Sequence, residues 1–283
     1  MSVWTILLVI VVLAVVVIGG GYAWWKTRVK THAPQFGTKP AIPSAKPQGA
    51  VPMLKMPTAR GWVGGAKPRT ASGLKVSVFA EKLKHPRWVY ALPNGDVLVA
   101  ESATIPRKVT GFMDYAMNRT MKRAGATYPN ANQITLLRDA DGDGVPEIRE
   151  VFLKGQHQPF GMALIGSTLY VGNSNSVVAF PYKDGQTSIA AQGKTIFTMK
   201  DGGHWTRNLI PSADGTKLYV AIGSLSNIAE EGFETEEGRA CIVELDLVTG
   251  ENREFAGGLR NPVGMAWEPT DGKLWTVVNE RDG

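Results

Sequence analysis

His204 is the side chain in this sequence best suited to move a proton near neutral pH. It stands in Asp201-Gly202-Gly203-His204-Trp205, behind two glycines that let other backbone approach closely. Three further polar residues hold comparable places: His85 before Pro86-Arg87-Trp88, Gln158 before Pro159-Phe160-Gly161, and Asn261 before Pro262-Val263-Gly264. If these segments are equivalent to within about a residue, His85, Gln158, His204 and Asn261 form a polar ring over a common cavity. The alternative is that each caps a strand and bonds only local backbone. Arg260 beside Asn261 and Arg207 near His204 favour the ring. His157 would replace Gln158 after a one-residue slip, which reverses a strand side chain's facing. His32 carries no role.

A second chemistry is written in Asp139-Ala140-Asp141-Gly142-Asp143-Gly144-Val145-Pro146-Glu147-Ile148-Arg149-Glu150. Oxygen-bearing side chains fall at the first, third, fifth, ninth and twelfth places and glycine at the sixth, the ligand spacing of a calcium loop. Asp139, Asp141, Asp143 and Glu150 are therefore candidate metal ligands. Against calcium stand Pro146 in the eighth place, strand-like flanks, and the habit of Asp-Gly runs to make plain hairpin turns. The sequence holds no zinc cluster, nucleophile elbow or phosphate loop.

The elements that must position these residues are short β-branched or alternating runs separated by turns such as Asn94-Gly95, Asp184-Gly185, Asp214-Gly215 and Asp271-Gly272. One unit recurs, an apolar run opened by a polar residue, a turn, and a second strand. The second strands are Val97-Leu98-Val99-Ala100, Leu169-Tyr170-Val171-Gly172, Leu218-Tyr219-Val220-Ala221 and Leu274-Trp275-Thr276-Val277. Their starts at 97, 169, 218 and 274 give steps of 72, 49 and 56. The last two steps suit a propeller blade of roughly 40–50 residues. The first is lengthened by an insertion at about residues 103–130, in which Phe112, Met113, Ala116, Met117, Thr120 and Met121 have helical spacing and Gly125 is a stop. Its basic residues Arg119, Lys122 and Arg123 read as a solvated face, and Asn118-Arg119-Thr120 is a weak glycosylation sequon. The fold expected for residues 71–283 is all-β, a β-propeller of about three and a half blades. Closed propellers carry four to eight, so the further blades are expected beyond Gly283 or from another chain.

Residues 1–30 predict an uncleaved transmembrane anchor. Val3 to Trp25 has no charge, enough to cross a hydrocarbon core of about 30 Å. Trp24 and Trp25 then sit where an interfacial belt would lie, followed by Lys26, Arg28 and Lys30. Those cations would keep the downstream side cytoplasmic. Residues 31–70 follow as a proline-rich spacer, with Trp62-Val63 as the point where it would meet the domain. The formal net charge of +6 comes from the N-terminal 70 residues, which hold nine Lys or Arg and no acid; the remainder carries 22 basic and 25 acidic groups. A slightly acidic folded part excludes a nucleic-acid partner. The single cysteine, Cys241, forms no intrachain disulfide and is expected to be a buried strand residue.

From about residue 72 onward the sequence resembles the sorbosone and soluble glucose dehydrogenase family, six-bladed β-propellers that use pyrroloquinoline quinone (PQQ). The resemblance is carried by Asp139 to Gly144, Gln158-Pro159-Phe160-Gly161-Met162-Ala163, Gly203-His204, Gly258-Leu259-Arg260-Asn261-Pro262-Val263-Gly264 and Asn279-Glu280-Arg281-Asp282. It implies oxidation of an aldose- or sorbosone-like sugar, with His204 as the catalytic base and Arg260 polarising the quinone carbonyl. Gln158, Arg260 and Asn261 match cofactor-contacting positions, and the loop with Glu280 matches a site for the Ca2+ that pairs with the cofactor. Gly203 departs from the acidic residue that the glucose enzymes carry there. The resemblance also implies a periplasm-facing propeller on the inner membrane and an electron acceptor of unknown kind. The positive-inside pattern argues for the opposite orientation. Two other readings stay open: a non-catalytic tethered propeller that binds carbohydrate or a protein, and a calcium-dependent lactonase-like propeller.

Overall fold

A computed structural model describes residues 2–28, 58–105, 109–227, 229–230 and 232–279. The N-terminal unit contributes helix α1 (Val3–Arg28). Its Val3–Trp24 stretch, 22 residues with mean hydropathy 3.0, is long and apolar enough to cross a membrane, a property it shares with signal sequences. It is apolar all round rather than on one face, so it has no side made for a protein core. Residues 29–57, most of the expected spacer, lie outside the described residues.

The second unit runs from Thr58 to Asp282. Its first sheet has the order β1 (Pro86–Ala91), β2 (Val97–Glu101), β3 (Gln133–Arg138), β4 (Ile148–Leu153). The second has β5 (Met162–Ile165), β6 (Thr168–Asn173), β7 (Ser176–Pro181), β8 (Lys194–Thr198), and the third β9 (Leu209–Pro211), β10 (Lys217–Ile222), β11 (Cys241–Asp246), β12 (Asn252–Ala256). A two-stranded sheet, β13 (Pro262–Trp267) with β14 (Leu274–Val278), follows. Each sheet is an antiparallel meander in chain order, and together they form three and a half propeller blades. Helix α2 (Phe112–Arg123) lies between β2 and β3. It stops where Gly125 takes φ 72°, the left-handed conformation that favours glycine. Within this unit the Ala59 N–H donates to Arg123 O at 2.9 Å, whereas Trp62 and Val63 stay exposed.

Cohesion comes from facing blades. Leu98, Ile134, Leu136 and Phe152 of the first sheet are buried with Met162, Leu169, Val171 and Phe180 of the second. Ala163 and Val177 of the second are buried with Leu209, Leu218, Val220 and Ile222 of the third. Successive residues of a strand point to opposite faces, so the inner strands, apolar nearly throughout, serve a core on each side: Leu169 and Val171 of β6 face the first sheet and Tyr170 packs toward the third. Cys241 joins the second core, and burial pushes its thiol up to about 11, so it packs as a small apolar side chain. Where inner strands meet, Gly161 N donates to Arg207 O at 2.9 Å.

Glu244 pins the outer strands of the third blade. It accepts hydrogen bonds from Lys217 Nζ at 2.8 Å, Tyr219 Oη at 2.9 Å and Arg253 Nε at 2.9 Å. Burial opposes its charge, but these donors outweigh burial and hold its carboxyl at about 2, below the ordinary 4.5. A carboxyl depressed in the folded state stabilises the protein above its unfolded pKa and loses that contribution as pH falls toward the folded one. Glu244→Gln is therefore expected to lower Tm at pH 7 and to flatten its decline between about pH 5 and pH 2; an unchanged Tm-against-pH profile would remove Glu244 from this role.

Candidate functional site

In an antiparallel hairpin the start of the first strand lies beside the end of the second, so each blade brings these two points to one rim. Ser102 N donates to His85 O, Ser174 N to His157 O, His204 N to Ser224 O, and Asn279 N to Asn261 O, at 2.9–3.3 Å. The ladders also fix register. Trp88 faces Ala100 and Gly264 faces Val277, each just after a bulge; Gly161 bonds to Gly172, and Ala221 bonds to Asn208. Three residues before these points stand His85, Gln158, Trp205 and Asn261. His204 thus stands one residue from Trp205, within the expected tolerance of about a residue, and in register with Arg260. Bulges bend the strand and re-aim the residues that precede it.

Around His204 the contacts are specific. Its Nδ1 lies 3.0 Å from Ser224 O and 2.9 Å from Ser224 Oγ. A carbonyl oxygen only accepts, and Ser224 Oγ donates its one proton to Ser226 O at 2.7 Å. Nδ1 therefore carries the hydrogen, and in the neutral ring Nε2 is the basic nitrogen. His85 repeats the device in the first blade, with Nδ1 at 2.7 Å from Ser102 O.

Asn261 meets the same corner. Its Oδ1 accepts Thr206 Oγ at 2.9 Å, which assigns the other end of the amide as donor. Gly223 has no room for a side chain, since a Cβ there would lie 2.5 Å from both Asn261 Oδ1 and His204 Cβ. Arg260 is fixed by Nε to Asn227 O at 2.8 Å, Nη1 to Asn279 O at 3.0 Å and Nη2 to Asn227 Oδ1. Its carbonyl accepts Ser224 N at 2.7 Å. Beside it opens a cavity of about 470 Å³ whose wall includes Ser224, Asn227, Phe233, Glu236, Arg239 and Arg260, with His204 and Asn261 behind that wall. That is within the usual range of small-molecule pockets, roughly 300–1,000 Å³.

The structure brings His204, Arg260 and Asn261 together through Ser224 and Gly223. Gln158 is placed elsewhere on the rim, between the first two blades, buried with Nε2 donating to Ala103 O at 2.9 Å. His157 binds Asp201 Oδ2 through Nε2 at 2.7 Å. Burial works against the Asp201 charge, but hydrogen bonds from His157, Ser174 and Gly202 N–H hold its carboxyl below the ordinary range.

The acidic loop between β3 and β4 gathers one oxygen each from Asp139, Asp141, Asp143 and Glu147 within 4.8 Å of one another. Asp139 is anchored by N–H groups of Gly142 and Gly144, both at 2.8 Å. Glu150, expected as the last ligand, is not in this group: it lies in β4 opposite Leu136. A strand, unlike a helix, carries the twelfth residue away along the ladder. Glu280 lies outside the described residues.

Sequence reasoning missed Ser224, Thr206, Asn227 and Arg239. Ser224 had a signal, because Ser102, Ser174 and Ser224 all follow the second strand of a blade. Asn227 and Arg239 come from irregular loops and had none.

A family model described as TrAA12-like matches residues 130–283. A curated pyrroloquinoline quinone-dependent sugar dehydrogenase of Hypocrea jecorina (strain QM6a) is 28% identical over 130 residues, 41% of this chain and 30% of that protein. The calcium structure of Trichoderma reesei carbohydrate-active enzymes family AA12 is similar with TM-score 0.60 and 21% identity, over 76% of this chain and 50% of that one. The holo form of the pyranose dehydrogenase PQQ domain from Coprinopsis cinerea matches with TM-score 0.59 and 19% identity, over 77% and 50%. The chain thus spans a third to a half of the length of these relatives.

Proposed function

Because the chain belongs to the TrAA12-like family, we propose that it is part of a PQQ-dependent sugar dehydrogenase in which His204 is the general base. The observation that carries this reading is the Nδ1–H bond of His204 to Ser224, which leaves Nε2 as the atom to take a sugar hydroxyl proton. PQQ, when bound, supplies the two-electron acceptor. The cavity wall sets two guanidinium groups, Arg239 and Arg260, against one carboxylate, Glu236, and this excess of positive charge suits an anionic quinone. Arg260 presents a guanidinium held in orientation by Asn227 and Asn279, suited to a carboxylate or to negative charge developing on a carbonyl oxygen. Asn261 stands next to Arg260 behind the cavity wall with an amide N–H donor, whereas Gln158 lies outside this cavity, its Nε2 bound to Ala103 O. The substrate class is an aldose- or sorbosone-like sugar.

Calcium is assigned to Asp139, Asp141 and Asp143 with Glu147 in the place expected for Glu150, since hard oxygen donors so close together repel until a cation joins them. Calcium is expected to raise the Tm of the wild type, and Asp141→Asn with Asp143→Asn to abolish that rise; an equal rise in the variant would move the ion elsewhere. Helix α1 tethers the enzyme to the inner membrane with the propeller in the periplasm, and reporter fusions after residue 283 would show this orientation or its reverse.

The activity is tested on the full-length protein reconstituted with PQQ and calcium, by dye reduction with a panel of aldoses. Cofactor-dependent reduction is expected. No reduction above that of His204→Ala would overturn the assignment.

A further inference from the structure

Two buried guanidinium groups lie beneath the segment that carries His204. Arg207 is fully buried and Arg239 is 3% exposed. Among the described residues no carboxylate oxygen hydrogen-bonds to either. Their partners are backbone carbonyls instead. Arg207 Nη1 donates to His204 O at 2.7 Å and Thr206 O at 2.9 Å, and Nη2 to Lys200 O at 3.3 Å. Arg239 Nη1 donates to Lys200 O at 2.9 Å and Asp201 O at 3.3 Å, and Nη2 to Gly202 O at 2.6 Å and His204 O at 3.4 Å. The same guanidinium reaches across to the end of β10, through Nε to Gly223 O at 3.2 Å and Nη2 to Ser224 O at 3.4 Å. Burial lowers both arginines, Arg207 to about 9 with the like charge of Arg239 adding to it.

Burying two like charges side by side is an expensive way to close a loop. What it supplies is a rigid planar fork whose five N–H groups can bind several carbonyls at fixed angles, which a lysine cannot do. The carbonyls bound by Arg239 belong to two segments, Lys200 to His204 and Gly223 to Ser224. The first carries the imidazole; the second carries the oxygen that accepts its Nδ1–H. The geometry points to Arg239, supported by Arg207, as the positioning residue of His204: it fastens both partners of the Nδ1–H bond and so fixes which ring nitrogen is basic. This rests on the reading of His204 as general base only for its catalytic consequence, because the tautomer itself is directly measurable.

Among the described residues the other charged groups around this corner include Lys200 and Asp201 on the same loop, Glu236 on the turn Phe233–Glu236 and Arg260 before β13, with His157 acting through Asp201 and Lys200 Nζ turned to Glu237 O. Glu236 binds the N–H groups of Leu225 and Ser226 at 2.7 and 2.9 Å, so it holds the far side of the Ser224 segment. None of them spans both segments as Arg239 does.

The test is nitrogen NMR of the full chain labelled in histidine, reading the tautomer of His204 at a pH where its ring is neutral. The wild type is expected to show the Nδ1–H form alone. Arg239→Met, and Arg239→Lys with its charge kept and its fork lost, are expected to give mixed tautomers of His204. His85 is the internal control, since among the described residues no buried arginine binds either partner of its Nδ1–H bond to Ser102 O, and it keeps its tautomer in every variant. In an active preparation, Arg239→Lys is expected to lose about tenfold in kcat with KM unchanged. If the Lys variant, or the Met variant where it folds, keeps the wild-type tautomer of His204, the inference is overturned. A wild type without sugar-oxidising activity but with the tautomer change in the variants would instead sink the dehydrogenase reading and leave the positioning role standing.

Discussion

His204→Ala in the reconstituted full-length protein is expected to lower kcat by about 10²–10⁴-fold, the usual contribution of a positioned general base. In the proposed mechanism the loss falls on kcat, because the imidazole contributes when the hydroxyl proton moves, while the cofactor-side contacts are proposed for Arg260 and Asn261. KM and the tightness of PQQ binding should change little. The measurement is dye-coupled turnover against sugar concentration at fixed PQQ. A variant with full turnover would show that proton removal is done elsewhere, and a variant with intact kcat but a large rise in KM would make His204 a binding residue.

Gly161→Ala is expected to give a large loss of stability from a single methyl group. A Cβ at this position would lie 2.5 Å from Arg207 O, 2.6 Å from Leu209 N and 2.7 Å from the Asn208 Cα. All three are backbone atoms of the third blade, so no side-chain rotation relieves the contact. Either the hydrogen bond from Gly161 N to Arg207 O opens or the two inner strands part. Overpacking of this kind costs about 1–3 kcal/mol, and backbone neighbours place the change at the upper end. The expected result is a fall in Tm of several degrees, seen in thermal unfolding followed by near-UV circular dichroism. Gly61→Ala, at a position with open space and no left-handed φ, is the control and should leave Tm unchanged. Equal behaviour of the two variants would mean that this seam is not tightly closed. Because Arg207 O is also next to the segment bound by the paired arginines, Gly161→Ala should disturb His204 as well.

Much of the architecture was legible because it repeats. The second strands at 97, 169, 218 and 274 fall inside β2, β6, β10 and β14, and the continuous apolar runs of β2 and β10 mark strands buried on both faces. The acidic loop was legible in part: its first three aspartates are local, but its fourth carboxylate depended on whether the following segment was helix or strand. The strand brought Glu147, not Glu150, to the group. The register of His204 could have been read from proline. Pro86, Pro159 and Pro262 align with Thr206, which puts Trp205, not His204, level with His85, Gln158 and Asn261.

What the sequence determined by itself was periodic and local: an apolar N-terminal helix, strand units opened by a polar residue, and a histidine behind two glycines. Those follow from the preferences of a few consecutive residues. What only the tertiary structure decided is the environment of that histidine. Ser224 lies 20 residues away along the chain, Arg239 35 and Asn261 57, and they meet His204 because an antiparallel ladder and a bulge bring distant backbone to one rim. The basic nitrogen of the ring was settled by a carbonyl that has no signature in any sequence, since every residue carries one and only folding says which is near.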